Sequence, residues 1–152
     1  MGETIHHATI HLQGFYRAPV ERVFAEFADP VARARWSAPS GDSLVYDAAD
    51  FREGGHDVFR CGPPKDLRFC GQTTYLVIVP SKCVVFTETL VEGSKRLAAA
   101  LNTLHFEASD EGTMLQVTVQ VVSFVGPGMV EGYESGNRSA LDGLSRHLDP
   151  SL

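Results

Sequence analysis

The spacing of apolar and polar positions changes along the chain, and each change marks an element. His6 to Phe15 mixes β-branched and polar residues and predicts a first strand. Ala18-Pro19-Val20-Glu21 then opens a helix, with Pro19 suited to a first helical position and Glu21 to the positive end of the helix dipole. Val20, Val23, Phe24 and Phe27 fall on one stripe at helical spacing. Asp29-Pro30 ends that helix, because the residue before proline avoids the α region, and Asp29 can cap a second short helix from Val31 to Trp36.

A polar loop, Ser37 to Asp42, leads into a series of strand-like runs separated by turn residues. Leu44 to Phe51, His56 to Cys61, Leu67 to Val79 and Cys83 to Leu90 are the first four. Met114 to Val121 alternates almost perfectly and predicts a strand with one half-buried face. The turn Ser109-Asp110-Glu111-Gly112 pairs it with Thr103 to Ala108. Lys95 to Leu104 is ambiguous: three consecutive alanines suit a helix, whereas the hairpin favours a strand at least from Leu101 onward. After Gly126-Pro127-Gly128, Met129 to Leu148 predicts one long helix with Tyr133, Asn137, Ala140, Leu141, Leu144 and Leu148 on a stripe.

The order is thus a strand, two short helices, about six strands and a long helix. A sheet of that size must bury a face, and the last helix is the available cover. At 152 residues, with 43% hydrophobic and 21% charged, the chain has the composition of a globular protein and is expected to form one domain over residues 1–152.

A net charge of −6 argues against nucleic acid as a partner. The densest basic spots, Arg33–Arg35 and Lys95–Arg96, are too small to read as a nucleic-acid or lipid patch. No apolar stretch approaches the roughly 20 residues of a membrane span. The first residues, Met-Gly-Glu-Thr-Ile-His-His, lack the basic and apolar regions of a signal peptide. Cys61, Cys70 and Cys83 form neither a disulfide framework nor a C-x-x-C pair and are expected to be reduced, mostly buried thiols. A cytoplasmic protein is expected, and a homodimer is left open.

One set of short elements is spaced along the chain: Pro19-x-x-x-Val23-Phe24, Phe27-x-Asp29-Pro30, Arg35-Trp36 and the turn Phe51-Arg52-Glu53-Gly54-Gly55. It continues through Phe69-x-Gly71, Pro80, Val84-x-Phe86-Thr87, Phe106-Glu107 and Gly112-Thr113 to Gly132-Tyr133 and Leu141-x-x-Leu144. In this order and spacing the elements resemble the START-like (SRPBCC, helix-grip) superfamily. Within it they look most like the branch of heat-shock ATPase activator homologues, grouped with polyketide cyclase-like proteins. Tyr133 stands where the family usually has tryptophan, and Asp57 where an aromatic is expected. The resemblance implies an α+β fold, a curved antiparallel sheet of six to seven strands gripping the last helix, with an internal cavity for a small hydrophobic or amphipathic molecule. Some members cyclise or dehydrate polyketides.

Candidate residues follow from that expectation. Alternation puts Asp57, Phe59 and Cys61 on one face, which the family pattern turns toward the cavity. A carboxylate there must be paired or protonated, and Asp57 is a candidate base; alternatively it lies in water at an edge. His105 is a second candidate base if Phe106 faces the convex side, and otherwise is a solvated histidine. The aromatic set Trp36, Phe51, Phe59, Phe69, Tyr75, Phe86 and Tyr133 supplies cavity walls. Trp36, Phe59, Tyr75, Tyr133 and Asn137 are the expected ligand contacts, with Tyr133 and Asn137 orienting the ligand. His7 and His11 share a strand face, but no third or fourth zinc ligand accompanies them, so no metal site and no cofactor are expected. Walker, G-x-G-x-x-G and G-x-S-x-G motifs are absent. Three functions compete: binding of a small apolar molecule; a cyclase, dehydratase or hydrolase acting on an apolar carbonyl compound; and a co-chaperone-like interaction module.

Overall fold

A computed structural model of the chain describes residues 5–39 and 41–151. The first four residues, read above as lacking a signal peptide, and Ser40 of the polar loop lie outside the described residues. Strand β1 (His6–Tyr16) is followed by helices α1 (Val20–Ala28) and α2 (Pro30–Trp36). Six further strands are β2 (Ser43–Ala48), β3 (His56–Gly62), β4 (Phe69–Val79), β5 (Cys83–Glu92), β6 (Lys95–Ser109) and β7 (Gly112–Ser123). Helix α3 (Gly128–Leu148) ends the fold. The strands form one antiparallel seven-stranded sheet in the order β1-β7-β6-β5-β4-β3-β2, the α+β grip expected from the sequence.

Local chemistry places the boundaries. The Asp29 side chain accepts the Val31 N–H at 2.9 Å, capping α2 as its sequence suggests. The alanine run is strand throughout, because β6 pairs with both β5 and β7 from Ala98 onward, and that pairing outweighs helix propensity. Strand β2 ends at Ala48 rather than Phe51. Phe51 turns inward instead and meets Phe24 and Tyr75 edge-on, with centroids 5.8 and 4.9 Å apart.

Register aligns the inward-facing residues in rows across the sheet. Asp57, Thr73, Glu88, Ala100 and Val121 form one row from β3 to β7. Tyr75, Phe86, Asn102 and Val119 form the next. Phe106 and Leu104 continue the same face of β6, and Phe106 packs against Phe24 and Phe27 of α1. Helix α1 therefore closes one end of the concave face, and α3 covers part of the rest.

Helix α3 is anchored mainly through its C-terminal half. Leu144 is fully buried, and Leu141 O accepts the Tyr16 hydroxyl of β1 at 3.1 Å. His147 pairs with Glu26 of α1 at 2.9 Å. Gly143 lies against the end of α2 so closely that a Cβ would sit 2.3 Å from Trp36 O. At Gly132 and Gly136, nearer the N-terminus, an added Cβ meets nothing within 4 Å among the described residues. Substituting these glycines with alanine should therefore have opposite effects. Gly143→Ala is expected to destabilise the fold by about 1–3 kcal/mol through overpacking against a backbone atom. Gly132→Ala is expected to stabilise it by about 0.5–1 kcal/mol, because it removes a helix-interior glycine where space is free. Urea unfolding of both variants checks the pair, and the same sign for both would contradict this packing.

Candidate binding cavity

A cavity of about 490 Å³ lies between the concave face of the sheet, α2 and α3. Its lining is mostly aromatic and aliphatic. Phe59, Tyr75, Val84, Phe86 and Leu90 come from the sheet, Trp36 from α2, and Met129, Ala140 and Leu141 from α3. Trp36, Phe59, Tyr75, Tyr133 and Asn137, the five contacts expected from the sequence, all line it. Phe59 keeps its place because its partner across the β3–β4 ladder is Gly71, where a Cβ would lie 2.0 Å from the ring.

Asp57 also lines the cavity and is 2% exposed, so it is not an edge residue in water. It belongs to a polar network centred on Arg33, which is itself 8% exposed. Arg33 Nη2 donates to Asp57 Oδ2 at 2.9 Å, Nη1 to Tyr75 Oη at 2.8 Å and to Phe27 O at 2.7 Å, and Nε to Tyr46 Oη at 2.7 Å. The Tyr75 hydroxyl donates to Asp57 Oδ2 at 2.5 Å, and Asp50 N–H donates to Oδ1 at 3.2 Å. Burial works against the guanidinium charge, but Tyr46, Tyr75 and Asp57 outweigh it and hold Arg33 above its ordinary value. The glycine turn positions Tyr75, since Gly54 N–H donates to Tyr75 O at 2.8 Å and Tyr75 N–H to Gly55 O at 3.1 Å. Arg33, read from the sequence as part of a small basic spot, is instead the centre of this network. Its spacing from Trp36, three residues on the same helix, is the signal that places it on the buried face.

His105 is corrected. Phe106 faces the concave core at 3% exposure, so alternation turns His105 outward, where it is exposed beside Gln116. His7 and His11 are exposed as well. Among the described residues, no group of three or more His, Cys, Asp or Glu side chains is placed to hold a metal. The three cysteines are free thiols but half-buried rather than buried. Burial, with Glu88 nearby, pushes the Cys61 thiol up to about 11.

Glu88 and Asn102 are, with Arg33, among the polar lining residues that escaped the sequence reading. Glu88 lies two residues from Phe86 on β5, and Asn102 two from Leu104 on β6, so alternation was the available signal. Glu88 Oε1 accepts the Tyr133 hydroxyl at 3.0 Å. Burial pushes the Glu88 carboxyl up, only partly offset by that hydrogen bond. Asn137 Nδ2 donates to Tyr133 O at 2.8 Å, so this donor and the Tyr133 hydroxyl are already engaged within the protein. Asn102 Nδ2 and Trp36 Nε1 are buried without a partner among the described residues.

The family model described as activator of Hsp90 ATPase homolog 1-like protein matches residues 17–149. Among solved structures, an uncharacterized protein from Rhizobium leguminosarum is 30% identical, with 97% of each chain covered and a TM-score of 0.87. A protein from Rhizobium loti is 28% identical, covering 95% of this chain and 99% of that one, at a TM-score of 0.82. DynU16, a protein of the dynemicin biosynthetic locus, shares the fold at 18% identity and a TM-score of 0.70, over 94% of this chain and 48% of its own. No curated protein matches the chain.

Two outcomes follow from the electrostatics. Asp57→Asn leaves Arg33 buried without its counter-ion and is expected to cost about 3–5 kcal/mol. The double replacement Arg33→Met with Asp57→Leu is expected to cost less than that single change, and urea midpoints compare them. Glu88 gives a pH dependence. Its folded carboxyl lies above the ordinary 4.5, so the folded state holds the proton more tightly than the unfolded chain. Its contribution is fully present below that ordinary value and is lost as pH rises through the raised one. Glu88→Gln should remove this slope and be more stable than the parent at neutral pH. An unchanged slope across a pH series of urea titrations would assign it to another group.

Proposed function

The chain belongs to the family of activator of Hsp90 ATPase homolog 1-like proteins, and on that premise we propose that it binds a small, mainly apolar molecule between its sheet and its C-terminal helix. The observation that carries this is the cavity itself. A space of about 490 Å³ with aromatic walls falls in the size range of small-molecule pockets. The α3 glycines add support. Gly132 and Gly136 line this space, and no neighbour requires them to be glycine, yet each costs the helix about 1 kcal/mol relative to alanine. An occupant lying against the helix backbone accounts for both.

Family membership alone does not choose between binding and catalysis. Binding is favoured because the two expected bases are poorly offered. His105 faces outward, and both Asp57 oxygens are engaged by Arg33, Tyr75 and Asp50. No described helix is long and apolar enough to cross a membrane. The free thiols support the expected reducing, cytoplasmic setting.

Thermal unfolding with a panel of lipids, polyketides and aromatic acids tests the proposal. A true ligand at one hundred times its Kd adds about 2.7 kcal/mol of stability. Gly136→Phe is expected to fill the cavity from α3, leave the protein folded and abolish that gain. Stabilisation that persists undiminished in Gly136→Phe, or a panel without effect on the parent, would refute binding at this site.

A further inference from the structure

The register brings two polar groups together on the cavity floor. Glu88 on β5 faces Ala100 on β6, and Asn102 lies two residues along β6 on the same face. Phe86, two residues from Glu88, is the residue opposite Asn102. Glu88 and Asn102 are thus diagonal neighbours, within reach of one small group placed above them. Tyr133 approaches from α3 and donates to Glu88 Oε1 at 3.0 Å. All three residues line the cavity.

Asn102 is 4% exposed, and its Nδ2 has no hydrogen-bond partner among the described residues. A buried donor in that state calls for an acceptor. Glu88 is tempered, among the described residues, by the Tyr133 hydroxyl alone. Arg33, the nearby buried cation, is committed to Asp57 and the two tyrosines Tyr46 and Tyr75. Burial raises the affinity of this carboxyl for a proton, and once protonated it offers an O–H of its own. The Asn102 amide and a protonated Glu88 carboxyl are both donors on the same stretch of lining, and they suit an acceptor oxygen. A ligand carboxylate would place a second acid beside Glu88, and an ammonium would leave the Asn102 donor unpaired.

We propose that Glu88 and Asn102, with Tyr133 holding Glu88 in place, form the polar end of the cavity and take a neutral carbonyl oxygen on an otherwise apolar ligand. This rests on the cavity being a binding site, and it defines the class of occupant.

A matched set of probes separates the two claims: 2-acetonaphthone, 2-ethylnaphthalene and 1-(2-naphthyl)ethylamine share a skeleton and differ in one group. Calorimetry on the full chain is expected to show the ketone binding about tenfold more tightly than the hydrocarbon, the contribution of one well-placed hydrogen bond. Asn102→Leu and Glu88→Leu should bring ketone and hydrocarbon toward parity. Glu88→Gln, which keeps an N–H donor, should preserve the preference. The infrared carbonyl stretch of ketone bound to the unmodified protein should lie below its value in cyclohexane, a readout that does not depend on any variant folding. Equal binding of ketone and hydrocarbon, or an unshifted stretch, overturns the carbonyl site and leaves cavity binding standing. Tightest binding by the amine, lost in Glu88→Gln, overturns it in favour of a counter-ion site. Failure of all three probes to bind overturns both claims.

Discussion

A single buried guanidinium joins most of the elements that surround the cavity. Arg33 leaves α2 and hydrogen-bonds to α1 through Phe27 O, to β2 through Tyr46, to β3 through Asp57 and to β4 through Tyr75. Arginine suits this position because its donors point in several fixed directions and its charge survives burial. Lysine would supply a point charge without the geometry. The desolvation cost of such a charge is large, so the network is tolerable only because nearly every donor and acceptor in it is matched. One wall of the cavity is thereby fixed, even though no apolar core fills the space beside it.

Farther along the same face of the sheet the arrangement differs. Glu88 and Asn102 sit among apolar side chains, with Tyr133 as the one partner found for Glu88 among the described residues and none for Asn102 Nδ2. The contrast is between the matched groups of the Arg33 network and lining groups such as Asn102 Nδ2 and Trp36 Nε1, which have no partner among the described residues. Satisfied polar groups hold a shape. Unsatisfied ones set what that shape selects, because anything that enters must supply what they lack. Polarity near Arg33 is therefore architectural, whereas polarity near Glu88 is available to an occupant.

Much of the fold was legible in the sequence because its signals are local. The alternation of Met114–Val121, the Asp29-Pro30 break and the long stripe on the last helix each depend on near neighbours. The alanine run stayed ambiguous on propensity because strand pairing, a nonlocal interaction, decides it. The site was half legible. Asp57 and Phe59 followed from alternation combined with a family pattern, and Asp57 proved buried. His105 failed because its direction hinged on whether Phe106 faced the convex or the concave side, which packing against Phe24 and Phe27 decides. Arg33, Glu88 and Asn102 were missed because polar residues read as surface unless their neighbours two or three positions away are followed inward.

The uneven anchoring of α3 has a consequence for how the molecule breathes. The C-terminal half is held by Leu144, by Gly143 pressed on Trp36 O, by the Tyr16 hydroxyl on Leu141 O and by His147 with Glu26. The N-terminal half carries Gly128, Gly132 and Gly136 at one-turn spacing, with open space beside each. Local opening free energy follows buried contacts and intrinsic propensity, so it must fall from one end of this helix to the other. Amide protons of the first turns should exchange through partial fraying, while those near Leu144 wait for events closer to global unfolding. Opening of the cover over the cavity is therefore expected to begin at the glycine-bearing end, where the Tyr133–Glu88 hydrogen bond is the tie to the sheet.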